Sequence, residues 1–383
     1  MDLYKLKYNV REFFKDNAFL TSIFIMAFMY TLRFSMLDNI LYMKYVFMCM
    51  RLIAYLLVAI KFLFDFYEKK YDGYYLQILI TTLFMAFISY KSKTVNYFVY
   101  YLYVIIGKDV NYLKIIKSAF YAIMIATTIV LFLYVIGILN DFVADQGGRT
   151  RHSLGFKYAA FISNYCFYST LYYIYIKKDK MKNIMLILFA AINIIVFKFC
   201  DTKSAFSLAM LALIITLLVN NVKYFKQYKY WYKNFLVVLP IILPLFIVFI
   251  SIFYNPEISF LAKFDKILSG RLKLGHSALF TYGVKFFGQY IKFSSTENYN
   301  IVDSAFVLYL LILGILFFIL MIIVLMYFGK LIDEKKDIYL MYIFIILLLH
   351  STFDAQLLQL SYCYFMFVWS YKNSTNNELG YEV

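Results

Sequence analysis

The sequence predicts an all-α membrane protein that crosses the bilayer many times. Hydrophobic residues make up 64% of the 383 residues and aromatic residues 22%, and the mean hydropathy is +0.72. A soluble globular domain of this length has a much lower apolar share. The apolar residues also fall into long runs, and an α-helix needs about 20 such residues to cross a hydrocarbon core of about 30 Å. Together these observations define the fold class.

The apolar runs predict about 10 to 12 membrane spans. The fourth run is short, and the last two are separated by almost nothing, so the lower count is the alternative. In chain order the predicted spans are 17–33, 41–63, 74–90, 95–107, 118–138, 156–176, 183–198, 204–219, 234–253, 303–327, 338–351 and 354–371.

Lys and Arg in the connections predict the orientation, because these residues are enriched in cytoplasmic loops. If the N-terminus is inside, the cytoplasmic connections carry more Lys and Arg than the outer ones. Both termini are therefore predicted to be cytoplasmic, and the connections 139–155 and 254–302 are predicted to face outside. The chain 1–383 is expected to form a single transmembrane domain, with 254–302 as a long extracytoplasmic loop within it.

Charge and cysteine patterns exclude several other classes of protein. The formal net charge is +16, but the basic residues lie in short clusters between apolar runs, so no nucleic-acid partner is expected. The 4 cysteines lie in or beside apolar runs and have no C-x-x-C spacing, which argues against a metal site or a disulfide framework. We expect no metal and no other cofactor.

The loop 254–302 is predicted to contain an amphipathic helix. Between residues 258 and 268 the apolar side chains recur at steps of three and four residues, as they do on one face of a helix. The polar residues Lys263, Asp265 and Lys266 fall largely between them. This pattern predicts a helix that lies along the membrane surface.

A second helix is predicted directly after the first, with Ser269 as its cap. It carries Arg271 and His276, which lie about 140° apart around the helix axis. They would share a site only through long side chains or from the two sides of a cleft. His276 is a candidate general base, because histidine can accept a proton near neutral pH. The alternative is a loop histidine that only faces solvent.

Arginines in both outer loops predict a site for a diphosphate. Arg149 and Arg151 lie in 139–155, where His152 extends the basic cluster, and Arg271 lies in the long loop. Guanidinium groups stay charged and present paired donors in one plane, which suits pyrophosphate. Arg149 or Arg151 could form, together with Arg271, a clamp for a lipid-linked diphosphate. The alternative is that these residues only meet lipid head groups.

Candidate residues also lie at the ends of predicted spans and within one of them. Asp303 opens a span at the outer interface and is a candidate catalytic carboxylate; an N-cap or helix-dipole role is the alternative. His350 lies near Asp354, where a hydrogen bond between them would be structural or would complete the site. Lys44 and Arg51 share a face of the second span, and they line a groove for a lipid or mark a misplaced boundary.

Four motifs in the second half of the chain carry a family resemblance. They are R-H-S-L-G-F at 151–156, D-T-K-S-A at 201–205, S-G-R-L at 269–272 with Gly283 and Gly288 downstream, and V-D-S-A-F-V-L-Y-L-L-I-L-G at 302–314. In this order they resemble the motifs of Wzy-type oligosaccharide repeat-unit polymerases, whose superfamily includes the O-antigen polymerases and the O-antigen ligases.

Three departures from the family pattern limit what the resemblance implies. Tyr-Ala-Ala at 158–160 stands where the family often has His-Pro-Asn, so no polar role carries over to these positions. Ala205 occupies the place of an arginine in the family's T-x-S-R motif, and Lys203 is its candidate substitute in diphosphate binding. Arg271 plus eleven residues falls on Tyr282, so the R-x10-G spacing is absent.

The resemblance implies a GT-C-like glycosyltransferase of the bacterial cytoplasmic membrane, acting in O-antigen, capsular or exopolysaccharide synthesis. Such an enzyme moves the growing glycan from undecaprenyl diphosphate onto a new lipid-linked repeat unit. Its substrates are undecaprenyl diphosphate-linked oligosaccharides held in membrane lipid, and a chain-length regulator and a flippase are further expected partners.

Four other functions stay open at this point: an O-antigen ligase, a flippase for lipid-linked oligosaccharides, an ion or solute transporter, and a structural assembly factor of the same gene neighbourhood. The ligase would differ in its acceptor and not in its motifs. A flippase would carry charged residues inside many spans. A solute transporter often has Gly- or Pro-broken helices at corresponding places in two halves, whereas Pro240 with Pro244 stands alone in this sequence.

Overall fold

The computed structural model describes residues 3–68, 73–145, 149–226, 231–294, 301–375 and 379. Across these residues the chain is predominantly helical, as the sequence predicts. The helices are α1 (Leu3–Arg33), α2 (Met43–Tyr67), α3 (Tyr75–Ser92), α4 (Val95–Ile106), α5 (Tyr112–Val135), α6 (Ala159–Lys177), α7 (Asn183–Cys200), α8 (Lys203–Asn221), α9 (Lys223–Lys226), α10 (Trp231–Ile252), α11 (Ser259–Ile267), α12 (Arg271–Tyr282), α13 (Ala305–Glu334), α14 (Ile338–His350) and α15 (Val368–Asn373).

A short hairpin interrupts the helical pattern between α5 and α6. Strand β1 (Val143–Asp145) pairs with β2 (Thr150–His152) in antiparallel register, with Val143 opposite His152. The hairpin lies in the connection 139–155, which the sequence predicts as an outer loop. Its strands have three residues each, too few to give a readable alternating pattern.

Six helices among the described residues are long and apolar enough to cross a membrane. They are Met43–Tyr67, Tyr112–Val135, Asn183–Cys200, Lys203–Asn221, Asn234–Ile252 within α10, and Ala305–Glu334. Each coincides with a predicted span, and the chain is therefore a multi-pass membrane protein. The predicted spans 74–90, 95–107, 156–176 and 338–351 are also helical, as α3, α4, α6 and α14. The complete number of spans and their orientation stay predictions.

The predicted twelfth span, 354–371, is wrong. Only its last residues are helical, in α15, and residues 351–367 form turns and irregular backbone. Most side chains between 360 and 368 are nevertheless buried. The apolar run thus correctly indicates burial of this segment, but the segment is not a helix.

Tyrosine hydroxyls satisfy part of this buried irregular backbone. The hydroxyl of Tyr112 in α5 donates to the carbonyl of Phe365 at 2.8 Å. The hydroxyl of Tyr172 in α6 donates to the carbonyl of Tyr362 and accepts from the backbone N–H of Tyr364, the latter at 2.9 Å. Non-helical backbone is tolerated inside a membrane protein only where the protein itself supplies such partners.

Packing divides the chain into two compact units. The first comprises Met1–Ile78, Leu102–Asn221 and Gln359–Val383. Within it α1 contacts α2 and α5, and α6 contacts α5, α7 and α8. This unit also contains the hairpin and the tyrosine-supported segment.

The second unit comprises Leu79–Tyr101 and Val222–Leu358. It is built on α10 and α13, and both contact α12 and α14. The two long helices approach closely at Gly329 of α13, where an added Cβ would lie 2.2 Å from the carbonyl oxygen of Leu236. Small residues at such contacts are typical of membrane helix pairs.

Both helices predicted in the loop 254–302 are present, as α11 and α12, but the cap of the second differs from the prediction. The N-cap residue is Gly270 and not Ser269, and Gly270 has a φ of +83°. Its side chain is only a hydrogen atom, so the first N–H groups of α12 need another acceptor.

The missing acceptor is Asp265 of α11. Its Oδ1 accepts hydrogen bonds from the backbone N–H groups of Leu272 at 2.8 Å and Lys273 at 3.2 Å, and its Oδ2 accepts one from the Tyr254 hydroxyl at 3.2 Å. Asp265 is buried, so its predicted place on the polar face of a surface helix is wrong. Burial, followed by the nearby Asp265 carboxylate, raises the pKa of Tyr254.

Candidate functional site

Arg271 joins three segments of the second unit. Its Nε donates to the carbonyl of Phe353, in the turn after α14, at 2.7 Å. Its Nη1 donates to the carbonyl of Leu268, before α12, at 3.2 Å, and Nε lies 3.7 Å from Oδ2 of Asp303. A guanidinium has five N–H donors, and the two carbonyls use two of them. The carbonyls fix the plane of the group, and its remaining donors suit an anion.

Asp303 lies beside this guanidinium and is not an N-cap. Helix α13 begins at Ala305, with Ser304 in the N-cap position, and the Ala305 N–H donates to the carbonyl of Ser351 at 2.9 Å. The N-cap alternative for Asp303 is therefore wrong. The Asp303 side chain is 31% exposed.

His350 completes the same cluster from the end of α14. Its Nε2 lies 3.5 Å from Oδ2 of Asp354, and its side chain is 1% exposed. The carbonyl of His350 accepts the N–H groups of Phe353 and Asp354, each at 2.9 Å. His350 thus holds the turn whose Phe353 carbonyl orients Arg271. The side chain itself is buried, and its predicted role as a catalytic residue stays a prediction.

The structure places His276 apart from this cluster. Its Nδ1 lies 3.0 Å from the carbonyl of Ser251 and 3.2 Å from that of Ile252, at the end of α10. Two carbonyl acceptors require a proton on Nδ1, which leaves the lone pair of a neutral ring on Nε2. Within the described residues, no hydrogen bond or ion pair joins His276 to Arg271, in agreement with their separation of about 140° around the helix.

Arg149 and Arg151 meet the C-terminal end of α7 in the first unit. Arg151 donates from Nε to the carbonyl of Cys200 at 3.0 Å and from Nη1 to the Tyr158 hydroxyl at 3.1 Å. The Nε of Arg149 lies 3.2 Å from Oδ2 of Asp201. Cations are favourable at this end of a helix, where carbonyl groups lack partners. Arg151 is thus held at this helix end by two hydrogen bonds, and Arg149 is the more exposed of the two.

The remaining diphosphate candidate, Lys203, begins α8 and has an exposed side chain. The predicted clamp combines Arg271 of the second unit with Arg149 or Arg151 of the first. Because the structure describes each unit by itself, the clamp stays a prediction.

Asp141 organises the R-H-S-L-G-F motif at 151–156. Its Oδ2 lies 2.6 Å from Nδ1 of His152, and its Oδ1 accepts the N–H groups of Ser153 at 2.8 Å and Leu154 at 2.9 Å. Burial acts to raise the pKa of the Asp141 carboxyl, but the hydrogen bonds from His152, Leu154 and Ser153 outweigh it and hold the pKa below its usual value. His152 thus pairs with a carboxylate and does not simply extend the basic cluster.

A buried charge network that the sequence pattern does not predict joins α1 and α2. The Lys15 Nζ lies 3.1 Å from Oδ1 of Asp65 and 2.9 Å from Oε2 of Glu68, and the Lys61 Nζ lies 2.6 Å from Oδ2 of Asp65. Charged groups inside a membrane protein are costly unless they are paired. Only the four-residue spacing of Lys61 and Asp65 was visible in the sequence.

Within the described ranges, no three His, Cys, Asp or Glu side chains gather as metal ligands would. Asp65 lies near two lysines and Asp303 near Arg271 instead.

Comparisons of the chain with protein-family models, with curated proteins and with solved structures found no match. The resemblance to Wzy-type polymerases therefore rests on the four motifs and stays a prediction.

Proposed function

We propose that the protein is a membrane glycosyltransferase that polymerises undecaprenyl diphosphate-linked oligosaccharide repeat units. The observation that carries the proposal is the contact between Arg271 and Asp303. The motif resemblance and the chemistry of the residues point to both positions, and the two lie in different segments of the chain. A cation for the leaving group and a carboxylate for the acceptor are the two groups that this reaction needs.

In the proposed reaction, a hydroxyl oxygen of the acceptor sugar attacks the anomeric carbon of the lipid-linked glycan. The bond between that carbon and the diphosphate oxygen breaks, and its electron pair leaves with the diphosphate. Arg271 stabilises the departing charge, and Asp303 accepts the proton of the attacking hydroxyl. Asp303 suits the role of base better than His276, because His276 lies against the end of α10 and not beside Arg271.

The proposal includes the finer features that the motifs imply. The protein would lie in the bacterial cytoplasmic membrane with both termini inside, and the cluster around Arg271 would face outside. Its neighbours would be a flippase, which delivers the repeat units, and a chain-length regulator.

The test is a deletion strain complemented with variants. Arg271→Ala should abolish the polymer and leave single repeat units on the lipid carrier at the outer face, with the protein level unchanged. Lys273→Ala is the matched control, because Lys273 lies on the same helix with an exposed side chain; it should keep wild-type chain length. Polymer of normal length from Arg271→Ala would contradict the proposal.

Arg271 also holds three segments together, so its loss alone does not separate chemistry from folding. Asp303→Asn preserves the shape of the side chain and removes the base. It should slow polymerisation by about 10²- to 10⁴-fold and leave the thermal stability of the purified protein nearly unchanged. A variant that loses both activity and stability would assign Asp303 a structural role.

A transporter of lipid-linked oligosaccharides is the second candidate, and one observation favours it. Helix α13 is interrupted at Gly314, whose backbone is not helical, and broken membrane helices are common in transporters. In the same deletion strain, repeat units trapped on the cytoplasmic side would support the transporter. Normal polymer that is not transferred to its final acceptor would support an O-antigen ligase.

A further inference from the structure

Helix α13 consists of two half-helices joined at Gly314. This residue has φ +89° and ψ 174°, a conformation that is essentially restricted to glycine. The break leaves the first N–H groups of the half-helix 315–334 and the last carbonyl groups of the half-helix 305–313 without partners inside the helix. In a membrane span these groups need partners from the protein.

Residues 283–292, which follow α12, supply those partners. The N–H of Ile315 donates to the carbonyl of Lys285 at 3.1 Å, and the N–H of Leu316 donates to that of Phe286 at 3.3 Å. In the opposite direction, the N–H of Gln289 donates to the carbonyl of Ile312 at 3.0 Å. The non-helical segment therefore fills the break with its own backbone.

Two glycines allow the backbones to touch. A Cβ added at Gly314 would lie 2.3 Å from the backbone nitrogen of Gly288, and a Cβ added at Gly288 would lie 2.4 Å from the carbonyl oxygen of Ile312. Any other residue at either position would push the segment away from the helix. The close backbone contact thus requires a glycine both in α13 and in the segment that follows α12.

The position of the break along α13 indicates its depth. The helix Ala305–Glu334 is one of the candidate spans and has a mean hydropathy of 3.3 over its most apolar window. Its polar end begins at Lys330, which is exposed. Counting about 20 residues back from Phe328 brings the other edge of the hydrocarbon core to Tyr309. Gly314 then lies about 8 Å inside the core, at 1.5 Å of rise per residue.

The side chains of the segment agree with this depth. Val284, Phe286, Phe287 and Tyr290 are 37%, 53%, 40% and 53% exposed, and we call these four residues the re-entrant surface. The ring of Phe287 meets that of Phe87 in α3 edge to face, with centroids 5.4 Å apart. In water, such a run of exposed aromatic side chains would be unfavourable.

Cations lie next to the re-entrant surface. The Lys93 ammonium lies 4.7 Å from the centre of the Tyr290 ring, and the side chains of Lys285 and Lys292 are exposed. Lysines bury their aliphatic stems in hydrocarbon and hold their charge near head groups, and aromatic residues with basic neighbours are typical of the membrane interface.

We propose that residues 283–292 form a re-entrant segment in the leaflet at the Ala305 end of α13, with the re-entrant surface in contact with the acyl chains of bilayer lipid. The surface is continuous with a membrane span through the backbone contacts at Gly314, and the neighbouring Lys93, Lys285 and Lys292 lie toward the head groups. This assignment concerns the membrane position of the loop that the sequence predicts as an outer polar interval, and it does not depend on the polymerase proposal.

The test uses tryptophan fluorescence in vesicles. Trp231→Phe and Trp369→Phe remove both native tryptophans, and Phe286→Trp then introduces one probe on the re-entrant surface. Glu257→Trp, at an exposed position after α10, is the matched control. Each variant of the full chain is reconstituted in phosphatidylcholine vesicles with and without bromine atoms in the acyl chains.

The probe at position 286 should emit at shorter wavelength than the control, and brominated lipid should remove about half or more of its fluorescence, because the bromines lie within the hydrocarbon core of about 30 Å. Emission typical of water without quenching would overturn the proposal. Emission at short wavelength without quenching would overturn it too, because it would mean that protein covers the surface. If Phe286→Trp does not fold, Phe287→Trp gives the same readout from the adjacent residue.

Discussion

Replacing Asp65 with asparagine should strongly destabilise the first unit. The carboxylate of Asp65 lies 3.1 Å from the Lys15 ammonium and 2.6 Å from the Lys61 ammonium, and all three side chains are at most 1% exposed. Asparagine preserves the size of the side chain and removes its charge. Two buried ammonium groups would then share a site without the carboxylate that lies between them.

The size of the effect follows from these distances. At an effective dielectric constant of about 20, each contact provides about 5 to 6 kcal/mol of Coulomb attraction before desolvation is subtracted. Removing one partner of a buried pair costs about 3 to 5 kcal/mol after desolvation. Lys15 keeps Glu68 at 2.9 Å, so the loss falls mainly on Lys61. We therefore expect Asp65→Asn to lower the free energy of unfolding by about 3 kcal/mol.

The assay is unfolding of the purified protein in mixed micelles, followed by circular dichroism. Glu68→Gln is the matched control, because Lys15 keeps Asp65 at 3.1 Å when Glu68 loses its charge; it should cost clearly less than Asp65→Asn. The double variant Lys61→Met, Asp65→Leu should recover most of the loss, since an apolar pair can replace a buried ion pair. Stability of Asp65→Asn equal to that of the wild type, or a double variant no better than Asp65→Asn, would refute this reasoning.

Three further predictions test other parts of the fold. The pKa of Asp141 is lowered in the folded state. Its carboxylate therefore contributes stability that is fully present above about pH 4 and is lost as the pH falls through the folded pKa. Thermal melts of the wild type and Asp141→Asn should differ near neutral pH and converge in acid, and a constant difference would contradict this. Asp265→Ala removes the acceptor for the first N–H groups of α12 and should lower the free energy of unfolding by about 1 to 2 kcal/mol, with faster hydrogen exchange at the start of that helix. Gly329→Ala should lower the melting temperature clearly, because its Cβ would lie 2.2 Å from the Leu236 carbonyl oxygen. Gly73→Ala is the control, since nothing lies within 4 Å of a Cβ at Gly73. Equal melting temperatures for the two variants would argue against the close helix contact.

Apolar run length predicted the long helices well, because an α-helix that crosses a membrane satisfies its own backbone and needs no distant partner. The segment 354–371 is also a predicted span, but most of it is not helical. Its backbone is satisfied by hydroxyls on Tyr112 and Tyr172, and those positions are far away in the sequence. Gly314 raised the same difficulty, since the sequence shows a glycine in a span but not the segment that fills the break.

The candidate site was predictable residue by residue but not as an arrangement. The types and positions of Arg271 and Asp303 pointed to diphosphate and proton chemistry, yet their contact depends on the turn after α14, which no local pattern specifies. The buried network was missed for a related reason. Lys44 and Arg51 stand out as charges within an apolar run, whereas Lys15 lies in the basic N-terminal stretch before the first predicted span.

The tyrosines that support the irregular segment should leave a trace in sequence variation. Phenylalanine fills nearly the volume of tyrosine but has no hydroxyl, so at positions 112 and 172 it would leave buried backbone groups unpaired, at about 1 to 3 kcal/mol each. Tyr121 lies in the same helix as Tyr112 with its side chain 54% exposed, and there the two aromatic residues should exchange freely. Chains that share this fold should therefore keep tyrosine at 112 and 172 while exposed aromatic positions such as 121 vary, and that pattern offers a way to find relatives whose overall similarity has been lost.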